Sequence, residues 1–361
     1  MVEYAVLLSL IALALVGPVL GLGQQVGNRF QSITNELSNG GSSGIPDPGT
    51  PTPPPTTSPT TTTPPPTTPK PDTGEKPDPN PGTTEKPTPL EGEAYAVYSA
   101  DDDSLEFFRG DTLPSVGSKS KAGKTVTKVF SDFEDGVNTW DGRPGWSSTG
   151  SKLSKTIKYV NFREVVRPRS LYGWFADMNR IRTVDIHKLD TSECTNMALM
   201  FFGCSMLNTD DPWTDYVYDL NLSSFDTSKV TDMSQMFEGC PGLRNVDISG
   251  WDTSSVTTMR KMFSGDIYLA RVGDLSHWDV SRVTNFEEMF NFCRPLSDLG
   301  DIGRWDTSSA TNMAGMFAGA TKVDADLSKW NVSNVTNHKD FIVETNTDYM
   351  PESFKSPVWV S

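Results

Sequence analysis

The chain has 361 residues, 36% of them hydrophobic, and 46 acidic residues against 31 basic ones give a formal net charge of −15. This acid excess excludes a protein that tracks nucleic-acid phosphates, which needs clustered Lys and Arg, and four cysteines in such a length exclude a disulfide-dense scaffold. The length has room for two or three domains, but residues 1–22 are almost wholly apolar and residues 46–89 hold almost nothing that forms a core.

Val2 to Leu22 is long enough, at about 1.5 Å per residue, to cross a hydrocarbon layer as a helix. Its only charge is Glu3, and a carboxylate near the end of such a helix is costly unless compensated. A signal peptide or plain signal anchor wants Lys or Arg ahead of the apolar run, whereas the first basic residue here is Arg29. Val26, Phe30, Ile33 and Leu37 then follow at helical spacing. The run Glu3-Tyr4-Ala5-Val6-Leu7-Leu8-Ser9-Leu10-Ile11-Ala12-Leu13-Ala14-Leu15-Val16, with this amphipathic tail, resembles the mature N-terminus of Flp-type (Tad, type IVb) pilins. The resemblance implies processing by a prepilin peptidase, a stay in the membrane before assembly, and packing with other pilin subunits. Glu3, beside Tyr4, would then pair with a neighbouring subunit's terminal amine. Two features depart from that pattern. No basic leader with a cleavage Gly precedes Glu3, so Met1 is expected to be a late start or a processed end, and Pro18 after Gly17 would kink the helix. A plain membrane anchor is the other reading of residues 1–39.

Residues 40–92 read as a disordered stalk. Asn39-Gly40-Gly41-Ser42-Ser43-Gly44 opens a Pro/Thr tract from Pro46 to Pro89 that cannot bury enough apolar area to offset chain entropy. At about 3.1 Å per residue, the tract reaches on the order of 140 Å when fully extended.

Residues 93–180 predict a β-rich cap. Ala94 to Tyr98 and Leu105 to Phe108 suggest a hairpin, with further strands over Thr125 to Phe130 and Thr156 to Val160. A repeat array exposes an apolar face at its first unit, and these strands are the candidates to cover it. Asp101-Asp102-Asp103 lacks the spacing of a calcium loop and reads as a solvated turn.

Residues 181–361 repeat one phrase. Its anchors, Leu189, Phe225, Trp251, Trp278, Trp305 and Trp330, lie 36, 26, 27, 27 and 25 residues apart. Val246-Asp247-Ile248 alternates like a strand, and Val256, Met259, Met262 and Phe263 follow at helical spacing. One strand and one short helix per unit predict an α/β leucine-rich-repeat-type solenoid. The Met and Phe stripe reads as core, and the recurring Ser192 and Thr195 positions as turn and helix-start caps. The phrase Phe225-Asp226-Thr227-Ser228-Lys229-Val230-Thr231-Asp232-Met233-Ser234-Gln235-Met236-Phe237-Glu238-Gly239-Cys240 is similar to that of the BspA-like leucine-rich repeat surface proteins, as are Ser170 to Phe175 and Ala94 to Tyr98. That resemblance implies bacterial cell-surface adhesion or host-protein binding without enzymatic activity. In the last unit His338 and Phe341-Ile342 replace the usual Met and Met-Phe, as expected of a terminal unit that faces water.

Cys204 and Cys240 share a position in adjacent units; core thiols and a disulfide across neighbouring strands are both open. Asp185, Asp219, Asp247, Asp274, Asp301 and Asp326 sit at the strand centres and would stack into an acidic stripe, either solvated or a ligand face. The extra residues between Leu189 and Phe225 include Trp213 and Tyr216, which either form a binding loop or tuck back onto the array. His187, His277 and His338 lie in no metal or triad motif, so no enzyme, cofactor or metal is expected. The reading as a whole is a pilin-like adhesin displayed on the bacterial surface, with a host or bacterial surface protein as its ligand. A membrane-anchored adhesin outside any pilus, or a structural pilus subunit without a specific ligand, are the alternatives. No sorting motif closes the chain at Val358-Trp359-Val360-Ser361, so C-terminal wall attachment is not expected.

Overall fold

The computed structural model describes residues 89–136, 141–207, 220–343 and 350–359. The predicted N-terminal helix with Glu3 and Tyr4, nearly all of the stalk, and the loop with Trp213 and Tyr216 lie outside the described residues. No helix of the described residues is long and apolar enough to cross a membrane.

The first elements are β1 (Glu93–Ser99) and β2 (Ser104–Gly110), an antiparallel hairpin with Ala96 opposite Phe107. Both faces are apolar because both are covered. Ala94, Ala96, Tyr98, Leu105 and Phe107 point into the main core, while Tyr95, Val97 and Phe108 join Val126 in a small second cluster. β3 (Lys128–Phe130) adds antiparallel to β1, and β4 (Tyr159–Phe162) and β5 (Thr183–Asp185) add in parallel beyond β2, giving the order β3-β1-β2-β4-β5. Two predicted strands are shorter or displaced. Thr125 makes only an isolated bridge with Lys119, and the stretch expected to be a strand from Thr156 begins instead behind a 3-10 turn, Leu153–Lys155. β6 (Leu220–Asn221) and β7 (Val246–Asp247) pair in parallel.

The predicted α/β leucine-rich-repeat-type solenoid is overturned. Among the described residues there is no α-helix; the only helical elements are the 3-10 turns Leu153–Lys155 and Ile302–Arg304. The stretch from Met233 to Gly239 shows why. The N–H groups of Met233, Gln235, Phe237 and Gly239 donate to carbonyls of the following unit, on Thr258, Arg260, Met262 and Ser264, at 2.8–3.2 Å. The intervening Met236 and Glu238 N–H groups donate three residues back, to Met233 and Gln235, at 3.4 and 3.2 Å. An α-helix needs each amide for the carbonyl four residues earlier, and here every second amide is spent on the neighbouring repeat. The geometry also needs left-handed backbone at the same place in each unit and again four residues on: φ is 58° at Gln235, 56° at Lys261 and 53° at Glu288, and 73° at Gly239. Apolar residues at i, i+3 and i+4 fit this chain of turns as well as they fit a helix.

Successive units meet through single parallel bridges, one series linking Ser170, Asn196, Asp232, Thr258, Asn285, Asn312 and Asn337. One residue earlier, the threonines fasten the same edge twice. Thr231, Thr257, Thr284, Thr311 and Thr336 each donate both N–H and Oγ1–H to the carbonyl of the threonine one unit back, the hydroxyl bonds measuring 3.0–3.2 Å. Inside, Phe175, Phe201, Phe237, Phe263, Phe290 and Phe317 form a ladder with centroids 5.3–5.7 Å apart. The anchor tryptophans stack in a second ladder, Trp278 on Trp305 at 6.3 Å and Trp305 on Trp330 at 5.9 Å. Their indole N–H groups stay satisfied by donating to buried carbonyls, Trp305 to Leu275 and Trp330 to Ile302, both at 2.9 Å. At the N-terminal end Phe107, Phe133, Trp146, Phe162 and Trp174 pack as one cluster, and Trp174 meets Phe175 edge-on at 6.3 Å. The sheet and the repeats thus share a continuous core.

Candidate functional site

The outward acidic positions are the strongest candidate, and their register differs from the predicted one. β6 and β7 pair Asn221, not Asp219, with Asp247. Asp219 itself lies outside the described residues, as do Trp213 and Tyr216. Asn221 lies four residues before the anchor Phe225, as Asp247 lies four before Trp251, and it makes the same local turn as the acids, accepting the Ser223 N–H at 3.0 Å. Asp185 pairs with Asn161 on β4. Asp185, Asp247, Asp274, Asp301 and Asp326 are all exposed.

Each carboxylate has a local role. Asp247 Oδ1 accepts the Ser249 N–H at 3.1 Å and its hydroxyl at 2.7 Å; Asp326 does the same with Ser328 at 3.1 and 2.6 Å. Asp274 accepts the Ser276 N–H at 2.9 Å, and that amide holds its carboxyl below the usual carboxylate range. Asp301 takes Arg304 Nε at 2.6 Å, and Asp185 contacts the His187 imidazole. Lys355 Nζ, 2.6 Å from Asp326, draws that carboxyl lower still. These turns also dictate two glycines. A Cβ on Gly273 would lie 2.5 Å from Asp247 Oδ1, and one on Gly300 only 1.8 Å from Asp274 Oδ1, at φ values of 85° and 71°. The carboxylates of Asp247 and Asp274 therefore each sit over a glycine of the next unit, one oxygen fixed by the turn.

A second series escaped the sequence reading. Asp226, Asp252, Asp279, Asp306 and Asn331, each directly after an anchor, accept the N–H two residues on at 2.9–3.2 Å. The recurrent Asp-x-Ser pattern was the signal that could have revealed both series as Asx turns. Asp101, Asp102 and Asp103 are ion-paired as well as solvated. Lys124 reaches Asp102 and Lys158 reaches Asp103, each at 2.8 Å, while Asp101 accepts the Thr125 N–H at 2.8 Å. Lys124 also meets the buried Glu106 at 3.0 Å, with Arg163 on its other side at 2.7 Å.

A cleft of about 700 Å³ beside β1 and β2 is lined by Arg109, Glu134, Asp135, Arg167, Arg169 and Glu193. Its charges largely answer one another: Arg109 with Glu134 at 2.7 Å, Arg169 with Asp135 at 3.2 Å, and Arg167 with Asp190 at 2.6 Å. All four cysteines are buried free thiols, and burial pushes the Cys194 thiol up to about 11, which makes it a poor nucleophile. Among the described residues no group of three or more His, Cys, Asp or Glu is placed to hold a metal ion.

Comparison with known proteins gives one family. Residues 169–264, 213–299 and 272–350 each match the family described as "Mycoplasma protein of unknown function, DUF285". No curated protein and no solved structure matches. The matches overlap to cover residues 169–350, just over half of the chain, and they support its likeness to BspA-like repeat surface proteins. The chain belongs to this DUF285 family.

Proposed function

We propose that this protein is a bacterial surface-displayed adhesin whose N-terminal segment assembles in a Tad-type pilus and whose repeats bind a ligand on a host or neighbouring cell. The observation that carries the reading is the exposed series Asp247, Asp274, Asp301 and Asp326, repeated at successive units with one carboxylate oxygen fixed by a turn or a neighbouring cation. Regularly spaced, oriented acceptors suit a basic or hydrogen-bond-donating surface. They do not suit a reaction centre, which needs a nucleophile and a base within reach of one another.

Adhesion of producing cells to host or partner cells tests the ligand face. Changing Asp247, Asp274, Asp301 and Asp326 together to Asn should abolish it while thermal unfolding stays cooperative. Undiminished adhesion would remove the stripe as the binding face. Pilus assembly is tested separately, by shearing the cells and sequencing this protein's N-terminus in the filament fraction. Recovery there, lost on Glu3→Ala, supports a pilin role. Retention with membranes, indifferent to Glu3, leaves a membrane-anchored adhesin, the alternative that Gly17-Pro18 in the apolar run favours.

A further inference from the structure

One inward position carries Cys204, Cys240, Asp266, Cys293 and Ala320 in consecutive units, each three residues after a rung of the phenylalanine ladder. All five are fully buried. The thiols are quiet occupants: Cys204 donates to the Phe175 carbonyl at 3.0 Å, Cys240 to Phe201 at 3.0 Å and Cys293 to Phe263 at 3.1 Å. Asp266 breaks the series. Its Oδ1 accepts the Cys240 N–H at 2.7 Å, in place of the turn carbonyl that receives the equivalent N–H of Cys204, Cys293 and Ala320. Its Oδ2 is buried without a hydrogen-bond partner.

We propose that Asp266 is a proton-operated latch, its neutral carboxyl holding the unit that ends at Cys240 against its successor and its ionisation opening this seam to expose Cys240 and Cys293. A carboxylate there would be an anion in an apolar core, a state that a protein avoids by keeping the proton or by opening. Among the described residues no cation answers it directly. The groups facing it are Cys240 from the preceding unit, Cys293 from the following one, and Glu238; Lys261 and Arg260 act on Glu238 and pair with Glu288 and Glu287. Burial pushes the Asp266 carboxyl well up, and Cys240 and Glu238 add to the push. Because the native value lies above the unfolded one, the stabilisation is complete below the ordinary carboxylate range and is lost as pH rises through the native value. Across that window the opening constant grows by up to about tenfold per pH unit. Burial raises Glu238 in the same sense, so Glu238→Gln is the companion control.

The test uses the full chain and iodoacetamide labelling from pH 5.5 to 8.5, quantified for each cysteine peptide. Cys194, outside this position, is the internal reference, and rates in urea-unfolded protein correct for thiol chemistry. The corrected Cys240 to Cys194 ratio should climb with pH in the native protein and in Glu238→Gln. It should be flat in Asp266→Asn, which keeps an acceptor for the Cys240 N–H. If the Asn variant does not fold, Asp266→Cys supplies the side chain of the flanking units and should also be flat. A flat ratio in the unaltered protein, or an equal climb in the Asp266 variants, overturns the latch.

Discussion

Removing one rung of the phenylalanine ladder should damage the repeats far more than its single side chain suggests. Phe263 is wholly buried and stacks on Phe237 at 5.3 Å and on Phe290 at 5.7 Å, nearly parallel to both. Phe263→Ala deletes the ring and leaves a cavity between two units whose backbones are tied by hydrogen bonds and cannot close on it. Phe-to-Ala changes in such cores cost about 3–5 kcal/mol, and about 4 kcal/mol is close to a thousandfold in the folding equilibrium. For a domain of this size that is a fall in Tm of roughly 8–16 °C. Urea unfolding gives the free energy, and hydrogen exchange gives its location: amides of the units carrying Phe237 and Phe290 should lose protection before those around Phe107. A loss below about 1 kcal/mol, or protection lost equally across the cap sheet, would refute a closed stack in which each unit leans on its neighbours.

Three further outcomes follow from the geometry. Gln235→Gly should be neutral or mildly stabilising because φ there is 58°, whereas Gln235→Val should cost about 1–2 kcal/mol; a helical interior would reverse the order, with Gly costing about 1 kcal/mol, so unfolding free energies decide between the two backbones. Glu106→Ala removes the buried acceptor shared by Lys124 and Arg163; Lys124 keeps Asp102 and Arg163 is half-exposed, so the loss should be about 1.5–3 kcal/mol in denaturant unfolding. Burial opposes ionisation of Asp190, yet Ser192 and Arg167 hold its carboxyl below the usual range; its contribution is present above that range and fades as pH falls through the native value, so Asp190→Asn should flatten the acid limb of a stability-versus-pH curve.

The apolar positions were legible from residue type alone, because Trp251, Trp278 and Trp305 can be nothing but core when they recur with Met and Phe at fixed offsets. Backbone type was not. Met259, Met262 and Phe263 have the spacing of a helical face, and a run of turns that donates every second amide sideways places them on one face too. The discriminating feature, positive φ at Lys261, is carried by residues with no sequence mark for it, since Gln, Lys and Glu fill that position as readily as Gly315 does. The acidic face was legible as a stripe, and its register follows from counting four residues back from each anchor; at Phe225 that count gives Asn221, which fills the slot without a charge, so that a search for acids alone lands on Asp219. Asp266 was visible only as a gap between Cys240 and Cys293. Its consequence depends on burial, which spacing does not report.

The same turns that make the acidic stripe affordable also decide where on it a ligand gains most. Like charges one unit apart repel, and the stripe meets that repulsion unevenly. At its ends Asp185 has His187 beside it and Asp326 has Lys355; Asp301 has Arg304. Asp247 and Asp274 in the middle take their bonds from Ser249 and Ser276, which orient the carboxylates without neutralising them. A basic partner therefore relieves most repulsion at Asp247 and Asp274, and gains least at Asp326, where it must displace a lysine. On the proposed ligand-face role, single changes to Asn should weaken adhesion in the order Asp274 and Asp247 first, Asp326 last, and added salt should flatten that order by screening the exposed charges. Equal effects along the stripe would mean that the ligand reads the serine and threonine columns beside the acids instead of their charge.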